Sequence, residues 1–406
     1  MSFAIALSGL NAATADLSAT ANNIANANTT GFKSSRAQFG DVYSASASGI
    51  SSNNTIGSGV RVERISQQFG QGTINFTNSS LDLALSGEGF FTVSDNGATV
   101  YTRNGAFGTD AQGFLVNQAG QRLQVFPALA TGGFNTGALS DLQLSVADNP
   151  PAATTSMSAM FNLPADAQPP AVGTFDANDP DSYNNTTSVT VYDSLGATHS
   201  ANIYFVKGAA AGAWDLYATV DGTQLGGATA LQYDNTGFLT TPAGGQITLS
   251  AFTPSDGAAD INMTLDIGQS TQFGSNFGVS SLTQNGFASG RLSGVEITQE
   301  GVIQARYTNG QATPLGEIAL TTFANPQGLQ QLGNTSWGET FASGAAVRGV
   351  AGSANFGLLQ SGALEASNVD LTAQLVNMIT AQRNFQANAQ MIQTSDQITQ
   401  TIINIR

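Results

Sequence analysis

The chain contains no cysteine, which excludes disulfides, thiolate metal ligation and thiol nucleophiles. A reducing compartment and a disulfide-free export route both fit that absence. Charge is the second shortage. Asp, Glu, Lys and Arg make up 10% of the 406 residues, against about 25% in an average globular domain. Cations are scarcest: 12 Lys and Arg face 27 Asp and Glu, a formal net charge of −15. Nucleic acid and anionic membrane both call for clustered Lys and Arg. The balance argues against both and serves solubility. No stretch approaches the ~20 apolar residues of a membrane span. The N-terminus "MSFAIALSGLNAATADL" has no basic leader, since the first cation is Lys33, so a cleaved signal peptide is not expected.

Histidine is nearly absent as well. His199 stands alone in "GATHSAN", and a lone His in a turn reads as a surface residue, because zinc takes three or four ligands. A Ser-His-Asp triad would need this His, and no G-x-S-x-G elbow surrounds any serine. "GSGVRVE" lacks the context of a nucleotide loop. "DANDPD" (176–181) has no EF-hand register and reads as a solvated turn. The sequence therefore points to no catalytic, metal or cofactor-binding residues, to no cofactor, and to a protein that is not an enzyme.

What is present is a pair of apolar, nearly uncharged ends. Phe3, Leu7, Leu10, Thr14, Leu17, Ala21 and Ile24 recur at spacings of four and three, a heptad pattern over about three heptads. At the other end Leu371, Leu375, Met378, Gln382, Phe385, Ala389 and Ile392 repeat the spacing. Ile398, Ile402 and Ile405 continue the stripe after a phase shift. Ser367 to Asp370 has capping-box spacing, so the second helix is expected to start there. A solvated coiled coil carries Glu and Lys on its flanks. Here the flanks are Ala, Ser, Thr and Asn, as on a helix packed in an array. Asn22, Asn23, Asn26 and Asn28 weaken the end of the first helix. They are expected to hydrogen-bond to neighbours and to order on assembly, with Gly31 as terminator. The expected interface is Phe3, Leu7, Leu10, Leu17 and Ile24 against Leu371, Leu375, Met378, Phe385 and Ile392. These residues are expected to meet within the chain and between copies of it.

Between the ends the period falls to two: Val60 and Val62, Ile74 and Phe76, and Leu81, Leu83 and Leu85 alternate as strands do. "SDNG" (94–97), "TDAQG" (109–113) and "NQAG" (117–120) read as hairpin turns. "TDAQGFLV", "YDNTGFLT" and "TQEGVIQA" share one turn pattern. Prolines 150, 151, 169 and 170 mark a boundary near residue 150. The expected fold is α+β and multi-domain: terminal helices forming an α-helical coiled coil (1–30 and 366–406), a linker (31–68), a discontinuous, mainly antiparallel β domain (69–148 and 286–365), and a second, outer β domain (149–285).

Three segments carry a resemblance. "SGLNAATADLSATANNIANANTTGFK" resembles the N-terminal signature of flagellar rod and hook axial proteins. "LDLALSGEGFFTVSDNGATVYTRNGAFGTDAQGFLVNQAGQRL" looks like their shared first β domain. "SGALEASNVDLTAQLVNMITAQRNFQANAQMIQTSDQI" resembles their C-terminal signature. The block from about 149 to 285 is similar to the middle domain of the hook branch. The resemblance implies a subunit that self-polymerises into a curved tube, a flexible universal joint passing torque from rod to filament in motile bacteria. It implies terminal helices lining a central channel, with the β domains outside. It also implies export through the flagellar type III apparatus to an extracellular flagellar location. Expected partners are copies of the chain, the distal rod protein, the hook cap and the hook–filament junction protein. A distal rod subunit is the alternative within the family, and a secreted β-rich adhesin or enzyme the alternative outside it.

Overall fold

The computed structural model describes residues 2–42, 57–144, 148–353 and 355–404. Two compact units share the chain. Unit 1 combines residues 1–145, 294–306 and 312–406, and unit 2 combines 146–293 with 307–311.

Unit 1 holds two long helices, α1 (Ser2–Ala25) and α2 (Leu371–Asn404). Helix α2 begins four residues later than Ser367. Its cap is Asp370, whose Oδ1 accepts from the Thr372 and Ala373 amides at 2.8 and 3.1 Å. An Asp one residue before the apolar repeat outcompetes the earlier Ser, because its carboxylate also answers the positive end of the helix. Ile405 of the apolar stripe lies outside the described residues.

The expected linker contains regular structure. Strand β1 (Ser35–Asp41) pairs antiparallel with β2 (Val60–Gln67), from Ser35 opposite Gln67 to Asp41 opposite Val60. Residues 43–56 of that stretch lie outside the described residues. The alternation of Val60 and Val62 marked β2, but the Ser- and Gly-rich composition hid its partner β1; the pair is held by backbone pairing and by packing on α1. Val60 accepts this role directly: its amide donates to Ser8 Oγ of α1 at 3.2 Å.

The β body of unit 1 is built from chain on both sides of unit 2. Phe90–Asp95 pairs antiparallel with Ala98–Thr102, with Arg122–Pro127 and with Leu320–Thr322. Arg122–Pro127 in turn pairs with Ala312–Ile318. Alternation sends Leu83, Leu85, Phe91, Val93, Leu115, Leu123, Val125, Ile318, Leu320 and Leu359 into one buried cluster, as the two-residue period of a strand requires. A second cluster is aromatic: Phe90, Tyr101, Phe323 and Trp337.

Unit 2 packs two sheets around a core that includes Phe161, Phe205, Trp214, Leu216, Tyr233 and Leu265. One sheet runs through Asn185–Tyr192, Thr198–Lys207, Ala213–Val220 and Thr229–Tyr233, all antiparallel. The other centres on Ser156–Pro164, where Met157, Ala159, Phe161 and Leu163 alternate inward. This strand pairs parallel with Thr264–Asp266 and Thr271–Phe273, and antiparallel with Gly278–Gln284.

Two members of the shared turn pattern, "TDAQGFLV" and "YDNTGFLT", have one geometry. Asp110 Oδ1 accepts from the amides of Gln112 and Phe114, and Asp234 Oδ1 accepts from those of Thr236 and Phe238. The glycine three residues after each Asp has φ of +84° or +88°, the left-handed region where a Cβ is disfavoured.

Candidate assembly surface

Helices α1 and α2 lie antiparallel. Asn23 Nδ2 donates to Gln374 Oε1 at 3.2 Å, and Gly9 sits against Asn388. A Cβ on Gly9 would stand 2.6 Å from Asn388 Oδ1, so only hydrogen allows this approach with Asn388 as placed. The buried residues of α1 are small or polar: Ala6, Ala12, Ala13, Ala19, Thr20 and Asn23. On α2, Ala381 is buried. Small side chains let the two backbones, and the β1–β2 arms beside α1, come close.

The large apolar residues are elsewhere. Phe3 and Leu7 are exposed, and Leu10, Leu17 and Ile24 are half-buried. At about 3.6 residues per turn, their stripe is centred roughly a third of a turn from the alanine face. On α2, Leu371 and Leu375 are each 47% exposed, Phe385 is exposed, and Met378 and Ile392 are half-buried. Val376, Ile379, Met391, Ile398 and Ile403 add to the exposed apolar surface. The structure thus brings the two helices together through alanines and amides. It leaves most of the expected Leu and Phe interface facing outward. The stripe lies on the two helices, and its largest side chains stand mostly outside the contact between them.

The asparagines divide. Asn23 is buried and clamps Ser35, donating to its carbonyl at 2.8 Å and accepting from its amide at 2.7 Å. That amide is spent inside the chain. Asn26 bonds the Asn22 carbonyl at 2.9 Å and accepts from Thr29 Oγ1. Asn22 and Asn26 line a cleft of about 500 Å³ together with Gln67, Asn104, Asn117, Gln118, Gln331 and Asn334. Unit 1 therefore presents a carboxamide-rich surface next to the end of α1.

Below the helices sits a cluster that the sequence did not announce. Glu365 is fully buried, with Lys33 Nζ at 2.6 Å from Oε1 and Arg103 Nη1 at 3.2 Å from Oε2. The Gly72 amide also donates to Oε1 at 2.8 Å. Lys33 donates further to the Gly70 carbonyl, and Arg103 to the Gly87 carbonyl at 2.7 Å. Burial pushes the Lys33 and Arg103 pKa values down, while Glu365 pulls them back up. The Gly31 amide donates to the Glu365 carbonyl at 2.8 Å. The triad thus joins the chain leaving α1, the β body and the chain entering α2. One signal was present in the sequence: Lys33 and Glu365 are charges close to two helix ends that otherwise carry almost none.

The sequence matches family models at four places. They are described as a flagella basal body rod protein (3–33), the flagellar hook protein FlgE/F/G D1 domain (84–173), the flagellar basal body protein FlaE D2 domain (162–287) and the flagellar basal body rod FlgEFG protein C-terminal region (360–405). The flagellar hook protein FlgE of Salmonella typhimurium is 40% identical over 420 residues, covering all of both chains. That of Escherichia coli is 40% identical over 417 residues, again with full coverage. The hook protein of Borreliella burgdorferi is 34% identical over 421 residues and 95% of each chain. The crystal structure of Helicobacter pylori flagellar hook protein FlgE2 superposes with a TM-score of 0.55, at 15% identity, over 72% of this chain and all of that one, which is a likeness of fold. With full-length relatives at this identity, the chain belongs to the flagellar hook protein FlgE family.

Proposed function

We propose that copies of this chain polymerise into the tubular hook of the bacterial flagellum through the outward apolar stripe of α1 and α2. The supporting observation is the division of labour on these helices. Alanines and amides hold them to each other, and Phe3, Leu7, Leu371, Leu375 and Phe385 are left for another surface. Burying one such side chain contributes about 1.5–3 kcal/mol, so a handful on each copy supplies a strong lateral contact. Asn22, Asn26 and the carboxamide cleft beside them form polar contacts that rearrange more cheaply than a dry core. The helices form the stiff inner layer of the tube and the polar β surfaces its compliant part, so the tube bends while transmitting torque. By family resemblance the partners are the distal rod protein, the hook cap, the hook–filament junction protein and the type III export apparatus. The location is the extracellular part of the flagellum. The role is structural and assigns no catalysis.

Electron microscopy of the concentrated protein tests this reading. The native chain forms curved tubes. Leu371→Asp forms none, because assembly would bury a carboxylate without a partner, while its β units stay folded by near-UV circular dichroism. Tubes of normal yield from Leu371→Asp would remove the stripe from the interface.

A further inference from the structure

Unit 2 gathers the single histidine of the chain with three carboxylates. Asp193 opens the hairpin turn between Asn185–Tyr192 and Thr198–Lys207. Its Oδ1 is occupied by the turn itself, accepting from the Leu195 and Ala197 amides at 2.9 and 2.8 Å. Its Oδ2 faces His199 Nε2 at 3.3 Å, and the Asp193 side chain is fully buried. The other ring nitrogen, Nδ1, lies 2.7 Å from Asp221 Oδ2. Asp256 comes from the loop between Phe252 and Ile261, two residues that bridge each other. One ligand atom from each of Asp193, His199 and Asp256 falls within 4.8 Å of the others.

In the neutral tautomer that donates Nδ1–H to Asp221 Oδ2, the Nε2 lone pair points at the buried Asp193 Oδ2, which is also an acceptor, and a cation can sit between the two. Asp256 adds a third carboxylate to the same space, with one ligand atom within 4.8 Å of those of Asp193 and His199.

We propose that Asp193, His199 and Asp256 bind one divalent transition cation of the zinc class, with Asp221 as the positioning residue that orients the imidazole. The dimensions fit. Bonds of about 2.0–2.1 Å in a tetrahedron place neighbouring ligand atoms about 3.3–3.4 Å apart, the separation found between Nε2 and Oδ2. The Asp221–His199 contact is the outer carboxylate that fixes the tautomer of a metal-bound histidine. An imidazole nitrogen selects zinc-like ions over calcium or magnesium, which take oxygen ligands. The fourth position is open to water or to a donor from another molecule. The bound ion ties the 252–261 loop to the hairpin turn, a cross-link in a chain that has no disulfide. The site stands whether or not the helices mediate polymerisation.

Because His199 is the only histidine, the full-length chain labelled with ¹⁵N-histidine gives one pair of imidazole nitrogen signals. Zinc chloride is titrated in, with calcium chloride as the comparison. The expected result is a large Nε2 shift that saturates at one zinc ion per chain, with no response to calcium. Asp256→Asn, at an exposed loop position, weakens zinc binding at least tenfold, and unchanged Trp214 emission in a Trp337→Phe background reports that unit 2 stays folded. No Nε2 shift at millimolar zinc, or an unchanged titration in Asp256→Asn, overturns the proposal.

Discussion

Replacing Glu365 by Gln should be among the most damaging single changes in unit 1. The side chain is isosteric, so packing is preserved and the perturbation is electrostatic. Glu365 is the anion shared by Lys33 and Arg103, at 2.6 and 3.2 Å, and all three side chains are at most 5% exposed. Removing the anion leaves two buried cations side by side. Breaking one buried pair in this way costs about 3–5 kcal/mol, and mutual repulsion of the two cations adds to it. A domain is stable by only about 5–15 kcal/mol. The chain has two tryptophans: Trp337 in the aromatic cluster of unit 1 and Trp214 in the core of unit 2. In a Trp214→Phe background, Trp337 emission during urea unfolding therefore follows unit 1. With a slope of about 3 kcal/mol/M, the midpoint should fall by roughly 1 M or more. Lys33→Met supplies the internal comparison. It leaves Arg103 and Glu365 as a neutral pair, so it should cost clearly less than Glu365→Gln. If Glu365→Gln moves the midpoint by less than about 0.2 M, or if Lys33→Met is the worse of the two, the triad is not held by its central charge.

The triad also marks where sequence reading stopped. Helix positions, strand alternation and turns are local properties, and they were legible. Phe3 to Ile24 and Leu371 to Ile398 lie on helices, and the Asp-x-x-Gly turns have the expected left-handed glycines. The membership of Glu365, Lys33 and Arg103 in one buried cluster depends on contacts across more than 260 residues, which no periodicity encodes. The same limit applies to the helix faces. A heptad of Leu and Phe looks like a seam for the nearest helix, but Gly9 and the alanines bring α1 and α2 together on a different face. Small residues give no hydrophobic signal of their own, so their role appears only when two backbones are seen close together. The alternation of Val60 and Val62 marked β2, but its partner β1 was missed for a related reason. Ser and Gly dominate the stretch around them, and backbone pairing carries no compositional mark. His199 read as a bland surface residue because its three carboxylate neighbours come from three separate turns.

The close approach at Gly9 predicts a compensating pair. Gly9→Val should disrupt the α1–α2 pairing, seen as lost helical circular dichroism, whereas Gly9→Ala should be tolerated only with Asn388→Ala, which removes the atoms 2.6–2.9 Å from the new Cβ. In the presence of Asn388→Ala, the better helix propensity of Ala, worth about 1 kcal/mol over Gly, should appear as a net gain. Unit 2 carries an alkaline limit that follows from Tyr233. Its phenol is buried in the core, donates to or accepts from Ser270 Oγ at 2.9 Å, and burial raises its pKa from 10.0 to about 12. The unfolded chain releases this proton near pH 10 and the folded chain only near 12, so folding retains a proton that unfolding gives up. The contribution is complete below pH 10 and is lost as pH rises through 12, an amount of roughly 2–3 kcal/mol for a two-unit difference. Urea unfolding followed by Trp214 in a Trp337→Phe background should therefore weaken steeply between pH 10 and 12. Tyr233→Phe has no proton to lose and should flatten that slope at the expense of the Ser270 bond. An unchanged slope in Tyr233→Phe would mean that the alkaline loss arises at other groups and that burial does not hold this phenol neutral.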